Sequence, residues 1–122
     1  MPLRLLLVRH GLSSFNKERR IQGRDDLSNL SEEGHEQARA LGRSLQDVSL
    51  QAIYSSPLQR AAATTASLLE TKGGHTPDPV FDDGLLEVDL EPWSGQTIDE
   101  LMQGSTEAYK IWKQRPMELE LQ

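Results

Sequence analysis

No cysteine occurs in the 122 residues. That absence removes disulfides, thiolate metal sites and a cysteine nucleophile, and it is compatible with a reducing compartment. Positive charge is also scarce: 13 Lys and Arg against 19 Asp and Glu leave a net charge of -6. A general nucleic-acid or membrane-surface binder needs a basic face to replace phosphate counterions, so both partner classes are excluded. Long apolar runs are missing as well. The run Leu5 to Val8 is too short to span a membrane, and no secretory pattern with a small-residue cleavage site accompanies it. The chain reads as one soluble, cytoplasmic domain with a single core.

What is present is an alternation of elements. Leu3 to Val8, interrupted only by Arg4, predicts a strand buried on both faces, as in a parallel sheet covered by helices. Ser13 to Ser28 reads as loop. Ser31 caps a predicted helix over about 31–47, with Glu32 and Glu33 in its first turn and Ala38, Leu41, Leu45 and Val48 along one face. Ala52 to Tyr54 predict a second strand. A second helix is predicted from Pro57, capped by Ser56, and ended by Lys72, Gly73 and Gly74. A third extended segment follows near Val80 to Val88. Two short helices, "TIDELMQ" and "TEAYKIWKQ", come last, with Pro116 stopping the second. Strand alternating with helix implies a three-layer α/β/α fold with a mainly parallel sheet.

In such sheets ligands sit beyond the carboxyl ends of the strands, where helix N-termini also point. Arg9, His10 and Gly11 lie at one such end and "SSPLQR" at another. A lone histidine after a strand is more often structural than catalytic, but Arg60 changes the balance. It falls in the first turn of a helix, where the macrodipole disfavours a cation, so an anion nearby is implied. Two arginines and a histidine would form a cationic pocket in an acidic protein, and a guanidinium fork matches phosphate oxygens. Other candidates are weaker. His35, beside Glu36, is expected to face water, and His75 follows two glycines with no ligand partner. The Asp pairs at 25–26 and 82–83 fit no calcium loop. No metal and no cofactor are expected. "KERR" reads as a solvated face, with Arg20 or Arg24 placed to reach the non-reacting part of an anionic substrate; Trp93, Tyr109, Ile111 and Trp112 read as packing residues.

Arg9-His10-Gly11, then Asn16, Gln22 and Gly23, then "LSEEGHEQA", "SSPLQRAAAT" and "LLEVDLEPWSG", in this order, resemble the histidine phosphatase superfamily, also called the phosphoglycerate mutase-like family. The resemblance implies that His10 is a nucleophile that becomes a phosphohistidine. It implies that Arg9, Arg60 and Asn16 bind phosphoryl oxygens, that Gln22 and Gly23 line the pocket, and that Glu87 protonates the leaving oxygen and later activates water. An apolar or acidic setting near Leu85, Leu86 and Trp93 would raise the Glu87 pKa for that task. Two arginines and an in-line imidazole satisfy what phosphoryl transfer asks of a protein, positioning and charge stabilisation.

Leu12 stands where the family is usually polar, and Phe15 replaces a bulkier aromatic. "EVDLEPWSG" resembles the phosphatase branch and lacks the Arg and Tyr that glycolytic mutases place after this glutamate. Hydrolysis of a small phosphorylated metabolite is therefore the expected activity, a sugar or sugar-acid phosphate such as carboxyarabinitol phosphate. A phosphoglycerate mutase is the second reading, and a non-catalytic phosphate-binding or interaction module the third. The family's second pocket histidine has no counterpart after His75. Residues 1–122 are thus expected to be the N-terminal part of one histidine phosphatase domain, inactive and marginally stable alone, with the oligomeric state open.

Overall fold

The computed structural model describes residues 3–24, 26–87, 94–104 and 106–114. Five helices, α1 (Ser14–Lys17), α2 (Glu32–Ser44), α3 (Gln59–Lys72), α4 (Ile98–Gly104) and α5 (Thr106–Gln114), accompany two strands, β1 (Tyr54–Ser55) and β2 (Val80–Phe81). The strands pair in parallel, Tyr54 opposite Val80 and Ser55 opposite Phe81, with α3 as the crossover between them. Backbone bonds from Val80 N to the Ile53 carbonyl and from Asp82 N to the Ser55 carbonyl extend the ladder at both ends. The α/β class with a parallel sheet holds. Among the described residues no helix is long and apolar enough to cross a membrane.

Local chemistry sets most boundaries. Ser31 caps α2 by accepting from Gly34 N at 3.1 Å, and its own N and Oγ both donate to the Leu12 carbonyl, tying the helix start to the preceding loop. Thr97 and Glu100 form a reciprocal capping box at α4. Gly73, at φ +64, ends α3 in a backbone region that favours glycine.

The helix pair α2 and α3 packs through small and polar groups rather than a leucine seam. Gly34, Ala38 and Gly42 form the buried stripe of α2, at the four-residue spacing that aligns side chains on one helix face. Against it stand Thr64, Ser67 and Leu68 of α3. Thr71 Oγ1 donates to the Arg39 carbonyl at 2.6 Å, and His35 Nδ1 meets Ser67 Oγ at 2.6 Å. His35 is therefore half-buried and bonded between helices, not facing water as expected; the close approach that Gly42 permits brings Ser67 within reach. The buried apolar side chains are few: Ala38, Leu58, Leu68 and Leu101 among the described residues. Burial of a leucine such as Leu101 contributes about 1.5–3 kcal/mol.

Several expectations are corrected. Leu3 to Val8 forms no ladder and is exposed, with Leu7 at 93%. Its apolar residues lie instead beside Leu41 of α2 and Leu45 at the C-cap of that helix, around an open cleft of about 370 Å³. Apolarity marks a demand for burial but supplies no backbone partner, and among the described residues β1 pairs with β2 alone. The loop expected from Ser13 to Ser28 contains α1, because Ser13 and Asn16 cap each other's backbone. The second strand is Tyr54–Ser55 rather than Ala52–Tyr54. Helix α3 starts at Gln59, not Pro57, since Leu58 stays extended at ψ 142°. The third strand stops at Phe81, where Asp82 caps a 3-10 turn over Asp83–Leu85. Val88, Trp93 and Pro116, and the side chains of Tyr109 and Trp112, lie outside the described residues.

Candidate active site

The end of the exposed apolar segment turns into the cleft where the expected nucleophile sits. This second cleft, also of about 370 Å³, is lined by Arg9, His10, Gly11, Leu12, Asn16 and Gln37. Gly11 is buried and backs onto α2: a Cβ there would come within 2.6 Å of the Gly34 carbonyl oxygen. Only a residue without a side chain admits that approach of two backbones. Its N–H donates to Thr64 Oγ1 at 3.0 Å, and the Thr64 hydroxyl donates onward to the Arg60 carbonyl at 2.7 Å. One side chain of α3 thus joins the residue after His10 to the helical turn that carries Arg60.

His10 is half-buried, with Nδ1 2.7 Å from the Gly11 carbonyl. A carbonyl only accepts, so Nδ1 carries a proton, and in the neutral imidazole Nε2 is then the nitrogen with the lone pair. Gln22 Nε2 lies 3.4 Å from that Nε2 and donates toward it. The amide is oriented from behind: Ser13 Oγ, fully buried, donates to Gln22 Oε1 at 2.8 Å while accepting from Asn16 N at 3.1 Å. The chain Asn16, Ser13, Gln22, His10 therefore runs with one consistent direction of donation, and it ends on the Nε2 lone pair of the imidazole.

The remaining expected residues divide. Asn16 shares the cleft with His10 and caps α1 through Oδ1, which accepts from Ser13 N at 3.2 Å. Arg9 lies exposed on the cleft wall. Arg60 is 2% exposed and donates from one terminal nitrogen to the carbonyl of buried Gly23 at 2.7 Å. Glu87 is exposed, and its backbone carbonyl accepts from Arg24 Nε at 3.2 Å. The apolar enclosure expected for Glu87 is not formed by described residues, since Leu85 is itself half exposed; Trp93 lies outside them. Arg60, Gly23 and Glu87 do not line the His10 cleft.

Four contributors escaped the sequence reading. Ser13, whose side chain caps α1 in a reciprocal pair with Asn16, carried its capping signal within a stretch read as loop. Thr64 and Gln37, whose Oε1 accepts from Leu12 N at 2.9 Å, act across long sequence separations. Asp26 does the same: its Oδ1 caps α3 from a remote loop by accepting from Gln59 N at 2.7 Å. Among the described residues no group of three or more His, Asp or Glu gathers as a metal set.

Residues 5–122 match the histidine phosphatase superfamily, branch 1. The chain is 36% identical over 120 residues to phosphoserine phosphatase 1 of Hydrogenobacter thermophilus, covering 98% of this chain and 55% of that protein. It is 36% identical over 113 residues to a probable 2-carboxy-D-arabinitol-1-phosphatase of Arabidopsis thaliana, covering 93% of this chain and 23% of that one. Among solved structures, YhfR of Bacillus stearothermophilus superimposes with a TM-score of 0.83 at 38% identity, over 93% of this chain and 55% of that one. The chain spans about half the length, or less, of the relatives it matches.

Proposed function

The chain belongs to the histidine phosphatase superfamily, branch 1, and from that premise we propose that it carries the nucleophile half of a phosphomonoesterase acting through a phosphohistidine on His10. The observation that carries this reading is the tautomer set at His10: Nδ1–H held by the Gly11 carbonyl, Nε2 facing the Gln22 amide at the edge of a cleft. In the first half-reaction the Nε2 lone pair attacks phosphorus in line, the P–N bond forms, and the ester P–O bond breaks. The leaving oxygen takes the proton of the Glu87 carboxyl. In the second half-reaction Glu87, now a carboxylate, accepts a proton from water, whose oxygen attacks phosphorus and releases inorganic phosphate from His10.

Arg9 and Asn16 would hold the phosphoryl oxygens from the cleft wall, and Arg60, behind Gly23, would add charge from a buried position, where its effect is less screened than at the surface. The Gln22 amide, donating to Nε2 while the site is empty, would transfer that donor to an incoming phosphoryl oxygen. Such a switch frees the lone pair at the moment it is needed. Glu87 takes the acid and base roles on the strength of the family resemblance, and its side chain is exposed.

For the substrate, a phosphate ester that also bears a carboxylate, the class to which sugar-acid phosphates belong, is supported by two relatives named for phosphoserine and for 2-carboxyarabinitol 1-phosphate. Hydrolysis is favoured over phosphoryl relocation because no Arg or Tyr directly follows Glu87.

The test is incubation with a labelled phosphoryl donor. Acid-labile label on His10, absent in His10→Asn and discharged by water, supports the phosphatase. Label passed to a monophosphoglycerate supports the mutase instead, and phosphate binding with no label at all supports a non-catalytic module.

A further inference from the structure

Loop 22–24 leaves one cation uncommitted. Gln22 meets His10, and Gly23 receives Arg60. Arg24, the next residue, is exposed and uses Nε alone, donating to the Glu87 carbonyl at 3.2 Å. Among the described residues it makes no other hydrogen bond and no ion pair, so its two terminal nitrogens remain for a ligand. Two nearby cations are occupied. Arg20 bonds Glu18 and the Gly95 carbonyl, and Lys17 pairs with Glu33.

We propose that Arg24 is a specificity-determining residue that takes a carboxylate on the substrate, next to the phosphoryl group held at His10. The proposal rests on the phosphatase reading above. A guanidinium offers a planar pair of donors that fits the two oxygens of a carboxylate, and a neutral substituent has no matching pair. The backbone bond to Glu87 fixes the base of the fork between the Gln22 loop and the proposed acid. Gln22 and Arg24 are separated by at most about 7 Å of backbone, the scale of the phosphate-to-carboxylate separation in a three-carbon acid. In a protein of net charge -6 a dianionic ester that also bears a carboxylate needs such a local cation.

O-phosphoserine and O-phosphoethanolamine differ only in the carboxylate, so calorimetric titration of the 122-residue chain with both isolates this contact. Inorganic phosphate is titrated first, against wild type and His10→Ala. Wild type is expected to bind phosphoserine about twofold to fivefold more tightly, the range of an exposed ion pair. Arg24→Gln should bring the ratio close to one, and Arg24→Lys should leave an intermediate value, with circular dichroism confirming the fold of each variant. A wild-type ratio of one, or a ratio that survives Arg24→Gln, overturns the proposal. Failure of inorganic phosphate to bind overturns the underlying site reading and the proposal with it.

Discussion

Thr64 Oγ1 accepts the buried N–H of Gly11 at 3.0 Å, across 53 residues of sequence. Because the same hydroxyl donates to the Arg60 carbonyl, the segment that carries His10 and the turn that carries Arg60 are held by one side chain that takes no part in the proposed chemistry.

Thr64→Val keeps the shape and removes both bonds, leaving the Gly11 N–H buried without its acceptor. Such a group costs about 1–3 kcal/mol, so the unfolding free energy should fall by that much, seen as a lower urea midpoint at constant slope. Thr64→Ser should recover most of the loss. A midpoint equal to wild type in the valine variant would remove Thr64 from this role.

Ser13→Ala should cost about 1 kcal/mol through loss of the α1 cap. It should also release the Gln22 amide from its fixed orientation, since Gln22 Oε1 loses the Ser13 donor. The readout specific to the site is imidazole nitrogen NMR: His10 should shift from the single Nδ1–H tautomer toward a mixture of both.

Two glycines should respond to alanine with opposite signs. A Cβ at Gly42 would strike the Leu68 carbonyl oxygen and Thr71 Oγ1, pushing α2 off α3, whereas nothing lies within 4 Å of a Cβ at Gly104. Gly42→Ala should lower Tm, by an overpacking cost of about 1–3 kcal/mol. Gly104→Ala should raise Tm slightly, by up to about 1 kcal/mol of helix propensity.

The exposed strip from Leu3 to Val8 should make the chain self-associate and bind a hydrophobic dye. Leu7→Lys, at the most exposed of these positions, should lower both dye fluorescence and the sedimentation coefficient at high concentration without lowering Tm. Unchanged dye binding would place the apolar surface elsewhere.

Arg39 bridges Glu70 and Glu36, and its pKa is raised by the hydrogen bond to Glu70 first and to Glu36 second. A cation with a raised folded pKa contributes stability below its unfolded value and loses it only as pH rises through the folded value. For arginine both lie far above neutrality, so the contribution should be flat from pH 6 to 9. It should instead fall with salt, because the pair is exposed. Equal stability of Arg39→Ala and wild type at low salt would show that the bridge adds nothing.

The sequence by itself determined the α/β class, the α2 start at Ser31, the α3 end at Gly73 and the family to which Arg9-His10-Gly11 and "SSPLQR" point. These are local signals: a cap, a helix stop and a strand-to-loop polarity change act over a few residues, so a linear reading captures them. It also named His10 and Gln22, which the fold brings to 3.4 Å. Tertiary structure decided the rest. Whether Leu3 to Val8 becomes a strand depends on a backbone partner, which apolarity cannot supply. Which nitrogen of His10 is free depends on Gly11, Gln22 and Ser13 meeting in space. The α3 cap comes from Asp26, 33 residues away, and the brace on Gly11 comes from Thr64. Hydrogen bonds have direction and range of a few ångströms, so only the folded chain can choose among the many donors and acceptors that the sequence lists without coordinates.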